Sequence, residues 1–554
     1  MRSSCRAFWR KLSGERTVNI LLFSMPDSTE HMPSLAIRMP NGALASLAGN
    51  LDAHHHVAIA DLILAQRSVG PTVERLVAAH APDVVGLSIM TFQRRTALRI
   101  AALIRRLRPT TRIVVGGYDP SLAPDAYTPA DTNVDIIVRG EGDVTFRDLV
   151  RALEARGDLR DVCGICHRSA SGFTQNPPRP VSRLDSEIRP PNRAARVLSG
   201  YTVLGRPVDV VETSRGCTFD CSFCSIIEMR GRNFHTFALA RVIADIRDAR
   251  TRGARAIFLV DDNITLDVRR FEALCRAIID AGLQDVDYIV QAMTSAIVNA
   301  GDGLARLMRR AGFRYVFLGI ENILHDDLAF LKAGRKNERR RDGSRAGNAA
   351  EAAVRLLHRH GMYVVGGLIV GNPDDTRAAI DANLAFARTF VDWPYIQHPT
   401  PYPGTPMTKD FVDRGLIVND RLEEYDGATA VVRSHHLSAD EIEYTRWRAE
   451  RWMKVRHMPA VARHDPLFVA RHWIRMLRHT FRGTTWRTWL GRETTRQAFE
   501  RYRAIRQQER QYLPEDRLAT PSDVVDCNGV TRVSPRRPSA IGERPAPPRS
   551  VANR

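Results

Sequence analysis

The stretch Arg215-Gly216-Cys217-Thr218-Phe219-Asp220-Cys221-Ser222-Phe223-Cys224 decides the reading of this chain. Three cysteines stand at CxxxCxxC spacing, just after the strand-like run Val208-Asp209-Val210-Val211. A 4Fe–4S cube is normally held by four cysteine thiolates. One short loop that offers three leaves the fourth iron open to a small molecule. A structural zinc site is the competing account, because such sites pair one CxxC with a second ligand pair. Cys163 and Cys166 form a CxxC upstream, next to His167. The order of strand, cysteine loop and later strand ends favours a cluster on Cys217, Cys221 and Cys224.

Downstream of the loop, a strand–helix rhythm runs six times, over Val208–Glu212, Ala256–Val260, Tyr288–Gln291, Tyr315–Ile320, Tyr363–Val370 and Tyr395–His398. Helical segments such as Ala238–Arg252 and Asn348–His360 separate the strands. Six units are too few for a closed eight-stranded barrel. Catalytic groups of βα barrels gather at the C-terminal strand ends. Those ends read Asp261-Asp262-Asn263, Gly319-Ile320-Glu321-Asn322, Gly366 through Pro373, and Pro399 through Pro406.

Upstream, five strands alternate with helices: Asn19–Phe23, Val57–Ala60, Asp83–Ser88, Arg112–Gly117 and Val134–Val138. This alternation predicts an α/β, doubly wound parallel sheet. Ligands of such sheets bind beyond the carboxyl ends of the strands. The ends are small and glycine-rich, which lets a large flat ligand approach the backbone. No complete GxGxxG or P-loop follows a strand, which disfavours phosphate.

The cysteine loop closely resembles that of the radical SAM enzymes, with the aromatic Phe223 before the last cysteine. In that family the open iron chelates the amino and carboxylate groups of S-adenosylmethionine, and the barrel is open and partial. By the same resemblance Glu321 is the first candidate to bind the ammonium or ribose hydroxyls of the nucleoside, with Asp261 and Asp262 beside it. The alternative for these carboxylates is capping of the next helices. The upstream sheet is similar to the flavodoxin-like cobalamin-binding domain that precedes many radical SAM domains. Val85-Gly86-Leu87-Ser88, Gly116-Gly117 and Gly140-Glu141-Gly142 carry that likeness, and imply Ser88, Gly116, Gly117, Glu141 and Gly142 as cobalamin contacts. Asp143 stands where a glutamate is common. Many such domains carry Asp-x-His-x-x-Gly after the first strand, with the histidine on cobalt. Here Asp27 and His31 have the wrong spacing and no glycine follows, so the resemblance implies cobalamin without that histidine.

The resulting organisation is a cobalamin-binding domain over 17–160, a linker over 161–200, a radical SAM partial barrel over 201–410, a C-terminal helical region over 411–513 and a disordered tail over 514–554. Within the linker, Val162–Arg168 reads as a strand, with Cys163 and Cys166 simply buried, and prolines follow from Pro177 to Pro191. His54-His55-His56 reads as a solvated loop, and Lys332–Arg345 as a solvated insertion. The formal net charge is +19 across 554 residues. The excess is mostly arginine spread along the chain, which fits an arginine-rich genome better than a nucleic-acid partner. No basic–aromatic face or second ligand pair supports a nucleic-acid module. No apolar run approaches the roughly 20 residues that span a bilayer. Met1–Arg16 lacks the apolar core of a secretory signal, and an oxygen-sensitive cluster belongs in a reducing cytosol. The segment Phe468–Arg482 mixes Trp473, Ile474, Met476 and Leu477 with Arg471, Arg475 and Arg478. It reads as a helix packed on the core, or else as a weak membrane-surface contact that holds the barrel mouth near the bilayer.

The resemblance covers Asn19 to Pro406 and implies a cobalamin-dependent radical SAM enzyme. Its cofactors would be a 4Fe–4S cluster, S-adenosylmethionine and cobalamin, fed by an electron donor such as flavodoxin or ferredoxin. C-methylation of an unactivated carbon, through a 5′-deoxyadenosyl radical and methylcobalamin, is the commonest outcome in that family. A cobalamin-dependent cyclase or rearrangement enzyme, such as an anaerobic porphyrin-ring cyclase, is the alternative. A methylthiotransferase acting on RNA should bring a second cysteine triad, yet before Cys163 there is only Cys5. The substrate, whether small molecule, lipid or peptide, stays open.

Overall fold

The computed structural model describes residues 16–28, 37–170, 172–341, 344–481 and 484–513. His31, the middle of the Lys332–Arg345 stretch, Arg482 and the tail from Pro514 lie outside the described residues.

The N-terminal half contains β1 (Asn19–Ser24), β2 (Ile37–Arg38), β3 (His56–Asp61), β4 (Val84–Ser88), β5 (Arg112–Gly116), β6 (Ile136–Val138), β7 (Ile165–Ser169) and β8 (Gly172–Gln175). Seven of these form a sheet in the order β3-β1-β4-β5-β6-β7-β8. The first five strands of that order are parallel, which is the flavodoxin-like arrangement. Alternate residues of β1 feed two separate cores. Leu21 and Phe23 pack with Val85, Leu87 and Val115 on one face. Ile20 and Leu22 pack with Val84, Val114, Phe146 and Leu149 on the other. Burial on both faces explains why these strands read as continuous apolar runs.

Two expectations need correction here. The β7–β8 hairpin is not linker: β7 pairs antiparallel with β6 and extends the sheet. Cys166 is buried in this sheet, opposite Ile137. The His54–His56 loop is not wholly solvated either. His55 is buried, and the His54 ring nitrogen Nε2 lies 2.9 Å from Glu154 Oε1. Glu154, the last residue of the helix Gly142–Glu154, faces His54 and His55, while His56 stays exposed.

The second half contains β9 (Thr202–Val203), β10 (Arg206–Val211), β11 (Ser214–Arg215), β12 (His235–Thr236), β13 (Ala256–Leu259), β14 (Asp287–Met293), β15 (Phe313–Glu321), β16 (Glu338–Arg341), β17 (Ser344–Asn348), β18 (Tyr363–Ile369) and β19 (Trp393–Gln397). The large sheet runs β19-β18-β15-β14-β13-β10-β9-β2. Its six strands from β10 to β19 are parallel and form the open partial barrel. β2 precedes most of the first sheet in sequence, yet it pairs antiparallel with β9. The chain therefore stitches the halves together before the second half begins.

Helices Ala439–His464 and Thr495–Glu509 close the C-terminal region over this barrel. Buried Arg446 donates to His398 Nε2 at 3.1 Å, to the Ile396 carbonyl at 3.0 Å and to the Ala428 carbonyl at 2.8 Å. Burial lowers the His398 pKa to about 3, so its ring stays neutral and accepts from Arg446. This contact fixes the long helix at the C-terminal end of β19.

Candidate active site between the two halves

The cysteine loop is held at both ends. At its start Gly216 has φ +87°, and a Cβ there would meet the Asn233 carbonyl oxygen at 2.4 Å. Only glycine makes this turn. The Gly216 N–H donates to Asp262 Oδ2 at 2.7 Å. Asp261, buried beneath, accepts from the Thr213 N–H at 2.6 Å and from the Thr213 and Ser214 hydroxyls at 2.5 Å each. Both carboxylates at the end of β13 thus brace the loop; neither caps the next helix. At the far end, the Ser222 N–H donates to the Leu331 carbonyl at 3.0 Å, and the Met407 N–H donates to the Ser222 carbonyl at 2.9 Å.

Cys217 and Cys221 are buried and Cys224 is half-buried. Burial pushes the Cys221 thiol up to about 12 and the Cys224 thiol up to about 11. Such thiols keep their protons until a metal displaces them, because binding requires the thiolate. The Asn263 side-chain amide lies 3.7 Å from Cys217 Sγ and 3.1 Å from Met293 Sδ, giving the sulfurs an N–H neighbour. Phe223 packs against the apolar cluster around Leu328, Leu331 and Phe411.

Glu321 ends β15 with φ +60°, a left-handed conformation that costs a residue with a Cβ. Lys336 Nζ donates to its Oε1 at 3.0 Å. The solvated-insertion reading of Lys332–Arg345 is thereby corrected: Ala333 and Asn337 are buried, and Lys336 turns inward. Burial opposes the Lys336 charge, but the Glu321 carboxylate beside it outweighs burial and holds its pKa above the ordinary lysine value.

A cavity of about 390 Å³ lies between the halves. Ser88, Gly116, Gly117, Glu141 and Gly142 all line it from the first sheet, facing Arg215, Arg230 and Asp262 from the second half. Gly117 has φ +105°, and a Cβ there would meet the Ile89 carbonyl oxygen at 2.8 Å. A Cβ on Gly142 would touch Leu47 at 3.0 Å. Arg215 crosses the gap. It donates to Asp143 Oδ2 at 2.7 Å and to both Glu212 oxygens at 2.9 Å.

Comparison with known proteins agrees with this architecture. Residues 34–150 match the B12 binding domain family, and residues 211–387 match the radical SAM superfamily. The chain belongs to the radical SAM enzymes that carry a cobalamin-binding domain. It is 27% identical over 429 residues to an uncharacterized methyltransferase of Pyrococcus horikoshii, covering 77% of this chain and 90% of that one. It is 29% identical over 331 residues to the anaerobic magnesium-protoporphyrin IX monomethyl ester cyclase of a Synechocystis strain, covering 59% of this chain and 63% of the cyclase. Among solved structures, it resembles the radical S-adenosylmethionine methyltransferase TsrM of Kitasatospora setae, with cobalamin and a [4Fe-4S] cluster bound. That match has a TM-score of 0.59 at 20% identity, covering 73% of this chain and 79% of TsrM. At that identity the likeness speaks for the fold.

The residues of this cobalamin-binding radical SAM enzyme fit its family's cofactors. Three thiols share one braced loop, and Gly116, Gly117 and Gly142 present bare backbone along the cavity wall. Sequence reasoning missed Lys336, Arg215 and Asn263 as site residues. Arg215 and Asn263 stood inside quoted motifs, but nothing local marked their partners. Lys336 lay in a run of charges that looks like solvated surface.

Proposed function

We propose that the protein is a cobalamin-dependent C-methyltransferase acting on an unactivated carbon of a small molecule. One observation carries the reading: the glycine-lined face of the first sheet borders a single cavity with Arg215, which leads into the cysteine loop, Met229 and Arg230 of the helix that follows it, and Asp262, which braces it. When bound, the cluster supplies an electron to cleave S-adenosylmethionine, and cobalamin carries the methyl group. The chain's own work is positioning. Cys217, Cys221 and Cys224 would hold the cluster. Glu321 with Lys336 would bind the polar end of S-adenosylmethionine through charge-assisted hydrogen bonds. Ser88, Gly116, Gly117, Glu141 and Gly142 would cradle cobalamin. Asp261 and Asp262 keep the loop in place. Cofactors and substrate seated between the halves would keep bulk water from the reacting atoms. A reduced flavodoxin or ferredoxin would supply the electron.

The likeness to the porphyrin-ring cyclase supports a second reading, in which the same site closes a ring. Anaerobic turnover of reconstituted enzyme with S-adenosylmethionine labelled in its methyl group separates the two. Methyl transfer adds about one methylene of mass and carries the label into the product; cyclisation does neither.

A further inference from the structure

Between Asp465 and Glu493 the chain has no acidic residue but six arginines. The helix Pro466–Thr480 in this stretch has two faces. Phe468 is buried, and Val469 and Met476 pack against Val461, Tyr315 and Tyr363. The other face is left in water: Leu467 is 83% exposed, Trp473 51% and Ile474 49%. Trp486 and Trp489 follow, 57% and 67% exposed. The packed-helix expectation therefore accounts for only half of this segment. Among the described residues, eight of the 14 large apolar side chains that stand exposed fall between Trp452 and Leu490. Ring contacts join Trp452 to Phe481 at 6.1 Å and Phe481 to Trp489 at 5.7 Å, so the patch is continuous across elements.

Its place in the fold matters. Arg206, the first residue of β10, pairs with Asp465 at 2.7 Å. Tyr315 and Tyr363 stand near the starts of β15 and β18. The helix is thus seated at the N-terminal ends of the barrel strands, whereas the cysteine loop leaves the C-terminal end of β10. The expectation that this segment holds the barrel mouth at a bilayer is corrected: it stands at the opposite end.

We propose that this face docks on an anionic lipid bilayer and holds the enzyme with its cluster end turned away from the membrane. Tryptophan and arginine together suit the boundary between headgroups and acyl chains. An acid-free stretch in which Arg471, Arg475, Arg478, Arg487 and Arg492 stand exposed complements anionic lipid. A second copy would set like charge against like. The segment 514–554 has seven arginines against five acids and offers no charge complement. Among the described residues no helix is long and apolar enough to cross a membrane, so the contact is peripheral. This inference does not depend on the methyltransferase reading.

The test is sedimentation of full-length, cluster-reconstituted enzyme with phosphatidylcholine vesicles, with and without about a third phosphatidylserine. Binding is expected only with the anionic vesicles, and is lost at high salt because exposed charges are screened. The double substitution Trp473→Ser with Arg475→Glu should weaken it roughly tenfold while iron content stays unchanged. Hydrogen exchange on vesicles should slow in 466–481 and not in 217–224. No sedimentation at low salt overturns the proposal, as does binding that the double variant leaves intact. Vesicle protection over the cysteine loop overturns the orientation. Self-association abolished by the same variant, without vesicle binding, assigns the face to a second copy instead.

Discussion

Arg215 donates through Nη1 to Asp143 Oδ2 at 2.7 Å, joining the strand that leads into the cysteine loop to the helix Gly142–Glu154 of the first half. Burial opposes its charge, but Glu212, Asp143 and Glu141 together hold its pKa well above the ordinary value. The start of the cysteine loop and the glycine-lined ends of the first sheet therefore share one ion network. A displacement of either half moves a charge that the other must neutralise.

Arg215→Met should be among the most damaging substitutions outside the cysteines. It leaves the buried Asp143 and the half-buried Glu212 without their cation, an imbalance that costs about 3–5 kcal/mol, most of it at Asp143. The thermal midpoint should fall sharply, and fall less in an Asp143→Asn background. Asp143 itself has its pKa lowered: burial acts to raise it, and Arg215 more than reverses that. Its contribution is therefore present above its unfolded pKa of about 3.9 and disappears as pH falls through the lower folded value.

Replacing Cys217, Cys221 and Cys224 with alanine should remove about four irons per chain from anaerobically reconstituted protein. Visible absorbance and iron content check this. Tightly held zinc in the native protein, with no visible absorbance, would refute the cluster.

Lys336→Met should weaken S-adenosylmethionine binding about 10- to 100-fold, the range expected when a charged hydrogen-bond partner is lost. Lys336→Arg should restore part of it. Equilibrium binding to the reconstituted enzyme measures both, and an unchanged affinity would reduce Lys336 to a structural counter-charge.

Gly117→Ala should abolish cobalamin retention while leaving the cluster in place, because the methyl has no room beside Ile89 and φ +105° suits glycine alone. Cobalamin absorbance after gel filtration reports it. In the native protein, electron paramagnetic resonance of the cob(II)alamin form should lack nitrogen superhyperfine splitting. Splitting that vanishes in His31→Ala would overturn the expectation of cobalamin without a histidine ligand.

Asp327 and Asp375 give a pH signature of opposite sign. Burial, reinforced by the Asp375 carboxylate, raises the Asp327 pKa to about 7. The folded chain then binds more protons than the unfolded chain between about pH 4 and about pH 7, so this pair makes stability fall as pH rises across that window. Asp327→Asn should flatten that slope in thermal unfolding. An unchanged slope would show that Asp327 does not titrate in this window.

The sequence by itself determined the cysteine loop, the parallel strands of both sheets and the glycine-rich strand ends. Those are local signals: a three-cysteine spacing, apolar runs buried on both faces, and backbone that only glycine allows. Tertiary structure alone decided which charges are free to act. Asp261 and Asp262 looked like ligands at a strand end, yet they brace the loop, since the N–H and hydroxyl groups they accept from lie 46 to 48 positions earlier in the chain. Lys336 looked solvated until Glu321 and two thiols surrounded it. Arg215 gained its role from Asp143, 72 positions away. The tryptophan face of Pro466–Thr480 could be assigned to water only once the opposite face was seen against the barrel. Burial and charge pairing depend on what the fold brings alongside a side chain, and a spacing pattern along one chain does not carry that information.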